Sequence, residues 1–279
     1  MGVHGVAAAG ARAARVDPLL ADRVVEALLL VGLPVAHGGH GPGVHLFATG
    51  GAAGDGDGRG VDPDRWPLTL RWLCSARLEE AAAAAGAGSP WPRTRQVVAD
   101  SVETALAELL PALGLAAVRE TPAGPTRVGP AGPTAPADPA DPARQTVAVA
   151  AAPAPTAPPT DPAPHLPAET LAAVRRSAAL AGLPLARHPR AAGVALTSCP
   201  PVPDAPDAAL TTDVPDVVDV AWHPSPQLPG APAVSTAVRE AMHHAVGSVL
   251  TACGLRTSWH RPPDSPPHLH ADAPATAAR

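Results

Sequence analysis

Residues 31–48 read VGLPVAHGGHGPGVHLFA, and residues 181–198 read AGLPLARHPRAAGVALTS. Laid over each other at an offset of 150 positions, they place Gly32-Leu33-Pro34 on Gly182-Leu183-Pro184, Gly43-Val44 on Gly193-Val194 and Leu46 on Leu196, without a gap. The register extends outward. Val24 falls on Val174 and Leu30 on Leu180; further on, Trp72 falls on Trp222, Ser75 on Ser225 and Leu78 on Leu228. The second copy then lacks ten residues, and at an offset of 140 Val98 meets Val238, Ala105 meets Ala245, Leu110 meets Leu250, and Gly114-Leu115 meets Gly254-Leu255. Aligned alanines carry little weight in so Ala-rich a chain. A shared Gly-Leu-Pro and a matched tryptophan in one register carry the reading of an internal duplication.

The copies check each other's secondary structure. Asp17-Pro18 reads as an N-cap followed by proline at the first helical position. Val24, Ala27, Leu28 and Val31 share a helical face, and Gly32 fits a left-handed cap. Pro167 and Gly182 bracket residues 168–181 in the same way. Each Gly-Leu-Pro leads into a short extended segment, a glycine turn and a strand, at residues 44–49 and 194–198. The next strands, 68–74 and 218–223, put Leu68, Leu70 and Trp72, or Val218, Val220 and Trp222, on one face. A second helix is expected over 94–113 and 235–253, with stripes at Val98, Val102, Ala105, Leu106, Leu109 and Leu113, and at Val238, Met242, Ala245, Val246, Val249 and Cys253. A final strand follows at 115–119 and 255–260.

The expected fold class is α+β: a tandem duplication of an α-β-β-β-α-β unit, with both helices on one face of the sheet. Residues 1–15 are expected to be a flexible tail, 16–120 the first unit, 121–164 a disordered Pro/Ala-rich linker, 165–261 the second unit and 262–279 a disordered tail. The element order resembles that of secretion-chaperone-like families, which run helix, three strands, helix, strand; the likeness is one of topology. The unit, with its tryptophan strand continuing as Trp222-His223-Pro224-Ser225-Pro226-Gln227-Leu228, is also similar to small uncharacterised proteins of high-GC bacteria, which implies no known activity. The first unit departs there, reading Trp72-Leu73-Cys74-Ser75-Ala76-Arg77-Leu78.

All 20 basic residues are Arg, and Lys, Asn, Ile and Tyr are absent, the signature of a GC-rich coding sequence. Without lysine, Walker-A chemistry is excluded. Residues 16–120 hold 8 Arg against 13 acids and residues 165–261 hold 7 against 7, so neither half offers a basic face for nucleic acid. Cys74, Cys199 and Cys253 lack metal or redox spacing and suit a cytoplasmic protein with buried thiols. The apolar run at 27–36 is too short to span a bilayer, which takes about 20 residues, so no membrane association is expected.

Several polar groups merit scrutiny. His37, His40 and His45 stand in a Gly-rich loop, but the second copy has Arg187, Arg190 and Ala195 there, so the shared fold does not need them and no metal is assigned. Asp55, Asp57, Asp62 and Asp64 suggest a calcium loop, yet counting from Asp55 the required ligands fall on Arg59 and Trp66. Ser75 and Ser225 lack a nucleophile elbow. His268 and His270 fall in the expected tail, and His243 and His244 are read as the polar side of the last helix. No catalytic, cofactor-binding or metal residue and no cofactor is assigned. The expected function is a non-catalytic protein-binding or scaffolding protein, chaperone-like in architecture, whose two units pair within the chain. The alternative is a small-molecule site or enzyme between the units, for which His223 and Arg71, beside the tryptophan strands, are the candidates.

Overall fold

The computed structural model describes residues 17–36, 41–49, 65–119, 121, 124–131, 168–188, 190–198, 217–228, 232–260 and 268–272. Helix α1 (Pro18–Val31) begins on Asp17, whose carboxylate accepts the Leu19 N–H at 3.0 Å. Pro18 occupies the first turn, where a missing N–H breaks no helical bond. Leu20, Val24, Ala27, Leu28 and Val31 form its buried stripe. Helix α4 (Ala168–Ala181) buries Thr170, Val174, Ser177, Ala178 and Ala181 and, like α1, ends on a left-handed glycine.

Strands β1 (Gly43–Ala48) and β5 (Gly193–Ser198) pair antiparallel with β2 (Leu68–Leu73) and β6 (Val217–His223). Val44 lies opposite Trp72 and Val194 opposite Trp222, so the two tryptophans hold equivalent positions. In the first unit α2 (Ala76–Ala83) runs into the extra ten residues. Helix α3 (Trp91–Leu109) runs into a 3-10 turn, and α5 (Pro232–Ala252) is its counterpart. Strands β3 (Leu115–Arg119) and β4 (Thr126–Pro130) close the first sheet, and β7 (Arg256–His260) and β8 (His268–Asp272) the second. Both sheets are antiparallel, in the orders β1-β2-β4-β3 and β5-β6-β8-β7.

The fold is thus α+β, with an element order different from the expected one. The extended segment after each Gly-Leu-Pro makes a single parallel bridge, Val35 with Val44 and Leu185 with Val194, rather than a full strand. The missing strand comes at the C-terminal end of each unit. β4 lies in the stretch read as linker and β8 in the stretch read as tail. Composition hid them, because each has only two fully inaccessible side chains amid Pro, Ala and Gly. In β4 these are Thr126 and Val128; in β8 they are Leu269 and Ala271, and all four are fully inaccessible.

The two units complete each other's helices. A helix leaves its last carbonyls without intrahelical partners. At the end of α1, Leu28 and Leu29 accept from the Gly32 N–H. The Leu30 carbonyl accepts from the Ser225 N–H at 2.9 Å, and Val31 from the indole Nε1–H of Trp222 at 2.8 Å, both in the other unit. At the end of α4, Leu180 accepts from the Ser75 N–H and hydroxyl, and Ala181 from Trp72 Nε1–H at 2.9 Å. The tryptophans and serines matched by the 150-residue register are therefore among the groups that cross between units.

The capping glycines are tied to the same contact. Gly32 has φ +93°, and a Cβ there would stand 2.7 Å from Ala192 Cβ; Gly182, at φ +81°, would meet Pro42 Cβ at 2.6 Å. Gly254 has φ +91° and nothing within 4 Å. Gly254→Ala should then cost only the left-handed penalty, about 1–2 kcal/mol, and Gly32→Ala distinctly more. Urea unfolding of the two variants checks this, and equal losses would mean that the close approach of the units carries no weight.

Candidate functional site

The ladder between β2 and β4 stops at Leu70 opposite Thr126, and that between β6 and β8 at Val220 opposite Leu269. Beyond those pairs a helix side chain takes the place of a strand. Glu103 of α3 accepts the Trp72 N–H at 2.9 Å, and His243 of α5 accepts the Trp222 N–H through Nε2 at 2.7 Å. The two residues stand at matching positions under the 140 offset. Burial pushes the Glu103 carboxyl up to about 7, against the pull of the Trp72 N–H and the nearby Arg119. His243 is buried rather than on the polar side of its helix, which corrects the expectation from sequence; His244 is exposed as expected.

Helices α3 and α5 cross the boundary between units side by side and antiparallel. Thr94, near the start of α3, donates its hydroxyl to the carbonyl of Ala252, the last residue of α5, at 3.1 Å. Along this seam runs a cleft of about 600 Å³, bounded by Arg93, His244, Thr251 and Trp259. It continues into a second cleft of about 300 Å³ that shares His244 and Ser248 and is bounded by Asp100, Glu108 and Arg119. Together they form an open trough, spanning residues 241–252 of α5, or roughly 16 Å at 1.5 Å per residue.

The two ends of the trough differ. At the first-unit end Arg119 is fully engaged. It donates to the carbonyls of Gly124 and Asp100 at 2.8 and 2.9 Å, to the Thr104 hydroxyl at 2.6 Å and to the Asp100 carboxylate at 2.6 Å. Its counterpart at the other end is Trp259, 39 % exposed, whose ring lies 4.8 Å from that of His244. The exposed indole offers an apolar surface, and Arg93 lies exposed beside it.

The residues singled out in the sequence are dispersed. His45 is buried on β1, its Nε2 3.0 Å from the Gly41 carbonyl, and so ties down the glycine turn; His37, His40, Cys199 and the aspartates at 55, 57, 62 and 64 lie outside the described residues. Arg71 and His223 stand on different sheets, and neither lines the trough. Burial, and next the nearby Arg239, lower the pKa of His223, and its Nδ1 is buried without a hydrogen-bond partner. Burial, reinforced by Glu79, pushes the Cys74 thiol up to about 12, and burial also raises Cys253. Those thiols are packed groups, not nucleophiles at neutral pH. Among the described residues no group of three or more His, Cys, Asp and Glu is placed to hold a metal, and no helix is long and apolar enough to cross a membrane. The trough escaped the sequence reading because it exists only where two helices from different units meet. No family model matches this chain, and no curated protein or solved structure matches it.

Proposed function

We propose that this protein is a non-catalytic, protein-binding scaffold whose paired units work as one body and take a segment of a partner protein into the α3–α5 trough. The observation that carries the reading is the trough's form. It is open, elongated and built from both units, with an exposed indole at one end. Tryptophan in such a setting contributes disproportionately to protein–protein binding. The trough's length suits about three turns of helix or a short extended segment. A second reading, a small-molecule site, is favoured by one feature: the wider cleft of about 600 Å³ falls within the usual range of ligand pockets. The free thiols Cys74 and Cys253 support a cytoplasmic setting for either.

The test is site-specific photo-cross-linking in cells, with the reactive group at position 244 or 248 in the trough and, as control, at Phe47 on the first sheet. Discrete adducts from the trough positions alone, reduced at least fivefold by Trp259→Ala, are expected. Adducts at both locations alike, or a small molecule retained on the native protein and no protein adduct, would overturn the proposal.

A further inference from the structure

Helix α1 turns a mixed face to solvent. Leu19 is 74 % exposed and Leu29 56 %, more than any other large hydrophobic side chain among the described residues. With the exposed Asp22 and Glu26 they recur at spacings of three, four and three, which puts all four on one side of the helix. Beside them runs a groove of about 310 Å³, walled by Asp22, Glu26 and Leu29 on α1 and by Ser225 and Gln227 of the second unit.

Helix α4 holds the matching place in the second unit and carries the opposite chemistry. Under the 150 offset Glu26 falls on Arg176, Val25 on Arg175 and Gln227 on Arg77. Asp22 and Leu29 fall on Ala172 and Ala179, and Leu19 on Glu169 in the first turn. Arg77, Arg175, Arg176 and Ala179 are exposed. Among the described residues none of Asp22, Glu26, Arg175 and Arg176 has an ion-pair partner. One face is thus acidic with projecting leucines. The other is basic, with alanines on either side of its arginines.

We propose that the α1 face docks on the α4 face of a second copy of this chain. Acids then meet arginines, and leucines enter the space above alanines, a fit of large to small that lets helices pack at about 8–10 Å. The balance of the whole units acts in the same sense, with 8 Arg against 13 acids in residues 16–120 and 7 against 7 in residues 165–261. Complementary charge of this kind selects the partner and fixes the register. The contact joins different surfaces on the two copies, so each keeps a further face to offer and assembly runs head to tail. No residue of α1 or α4 lines the α3–α5 trough, so the contact stands apart from the function proposed above.

Sedimentation velocity over a hundredfold range of concentration tests the contact. The mean mass of the parent should rise with concentration to at least twice that of a single chain. Glu26→Arg and Arg176→Glu should each weaken association at least tenfold, because each sets like charges against one another. An equimolar mixture of the two variants, and the chain carrying both exchanges, should regain it, since unlike charges then face each other again. Leu29→Ala should weaken association about tenfold, and Glu240→Arg, an exposed exchange on α5, should leave it as in the parent. Circular dichroism verifies that each variant is folded; if a charge variant is not, Leu29→Ala decides. A parent that stays a single chain throughout, association untouched by both charge variants, or a mixture that fails to recover would overturn the proposal. So would a photo-reactive group at position 29 that labels only other proteins in cells.

Discussion

Trp222→Ala is expected to lower the stability of the whole chain by about 3–5 kcal/mol, as removal of a fully buried aromatic side chain does. Trp222 is completely inaccessible and Trp72 is 2 % exposed. The loss has two parts with separate signatures. The ring fills the core of the second unit, between its sheet and helices, and its Nε1–H closes the end of α1 in the first unit. Trp222→Phe keeps most of the filling and removes the donor, leaving the Val31 carbonyl unpaired, for about 1–3 kcal/mol. Trp72→Phe should behave alike through Ala181. Urea unfolding followed by tryptophan fluorescence and by circular dichroism would measure both. A Trp222→Ala protein that melts with the parent would show that the ring is not a core residue.

Raising the pH from about 4.5 to about 7 is expected to strip stability from the parent protein relative to Glu103→Gln. The folded carboxyl titrates near 7 against an ordinary value of 4.5. Between these values the folded state binds more protons than the unfolded state, so stability falls as pH rises. The contribution of the protonated carboxyl is whole below the unfolded value and is lost as pH passes through the folded one. A shift of that size corresponds to roughly 3 kcal/mol at 1.36 kcal/mol per unit. Gln retains an oxygen to accept the Trp72 N–H but has no proton to lose, so the difference between the two proteins should shrink or reverse with pH. Parallel unfolding curves from pH 4 to 8 would refute the role given to Glu103.

Much of this architecture is legible in the chain because it obeys local rules. The capping glycines, the stripes of α3 and α5, and the tryptophans in phase with their apolar neighbours all follow from periodicity. Repetition at a fixed offset then makes short signals count twice. Strands β4 and β8 escaped because two fully inaccessible side chains apiece give no measurable alternation, and because Pro and Ala around them pull composition toward disorder. The acceptors Val31 and Ala181 were invisible for a different reason, since a backbone carbonyl leaves no mark on the sequence. A signal for Glu103 and His243 did exist. Each directly follows a buried stripe residue, Val102 or Met242, and the two coincide under the 140 offset. A titratable group recurring beside a core stripe points to a buried partner. The trough was out of reach, because its two ends, Arg119 and Trp259, share a position and no chemistry.

The exchange of indole donors between the halves also bears on how the chain is made. Val31 leaves the ribosome 191 residues ahead of the tryptophan that finishes its helix. At about 5–20 residues per second, that interval is roughly 10–40 s. For its duration the nascent first half carries an open helix end and an uncovered flank, which is the state in which a passing chaperone or a second nascent chain would find it. A neighbouring copy emerging on the same message carries the same Trp222. The order of synthesis therefore sets a contest between closure within one chain and exchange between two, and the pace of translation through the proline-rich middle weighs on the result.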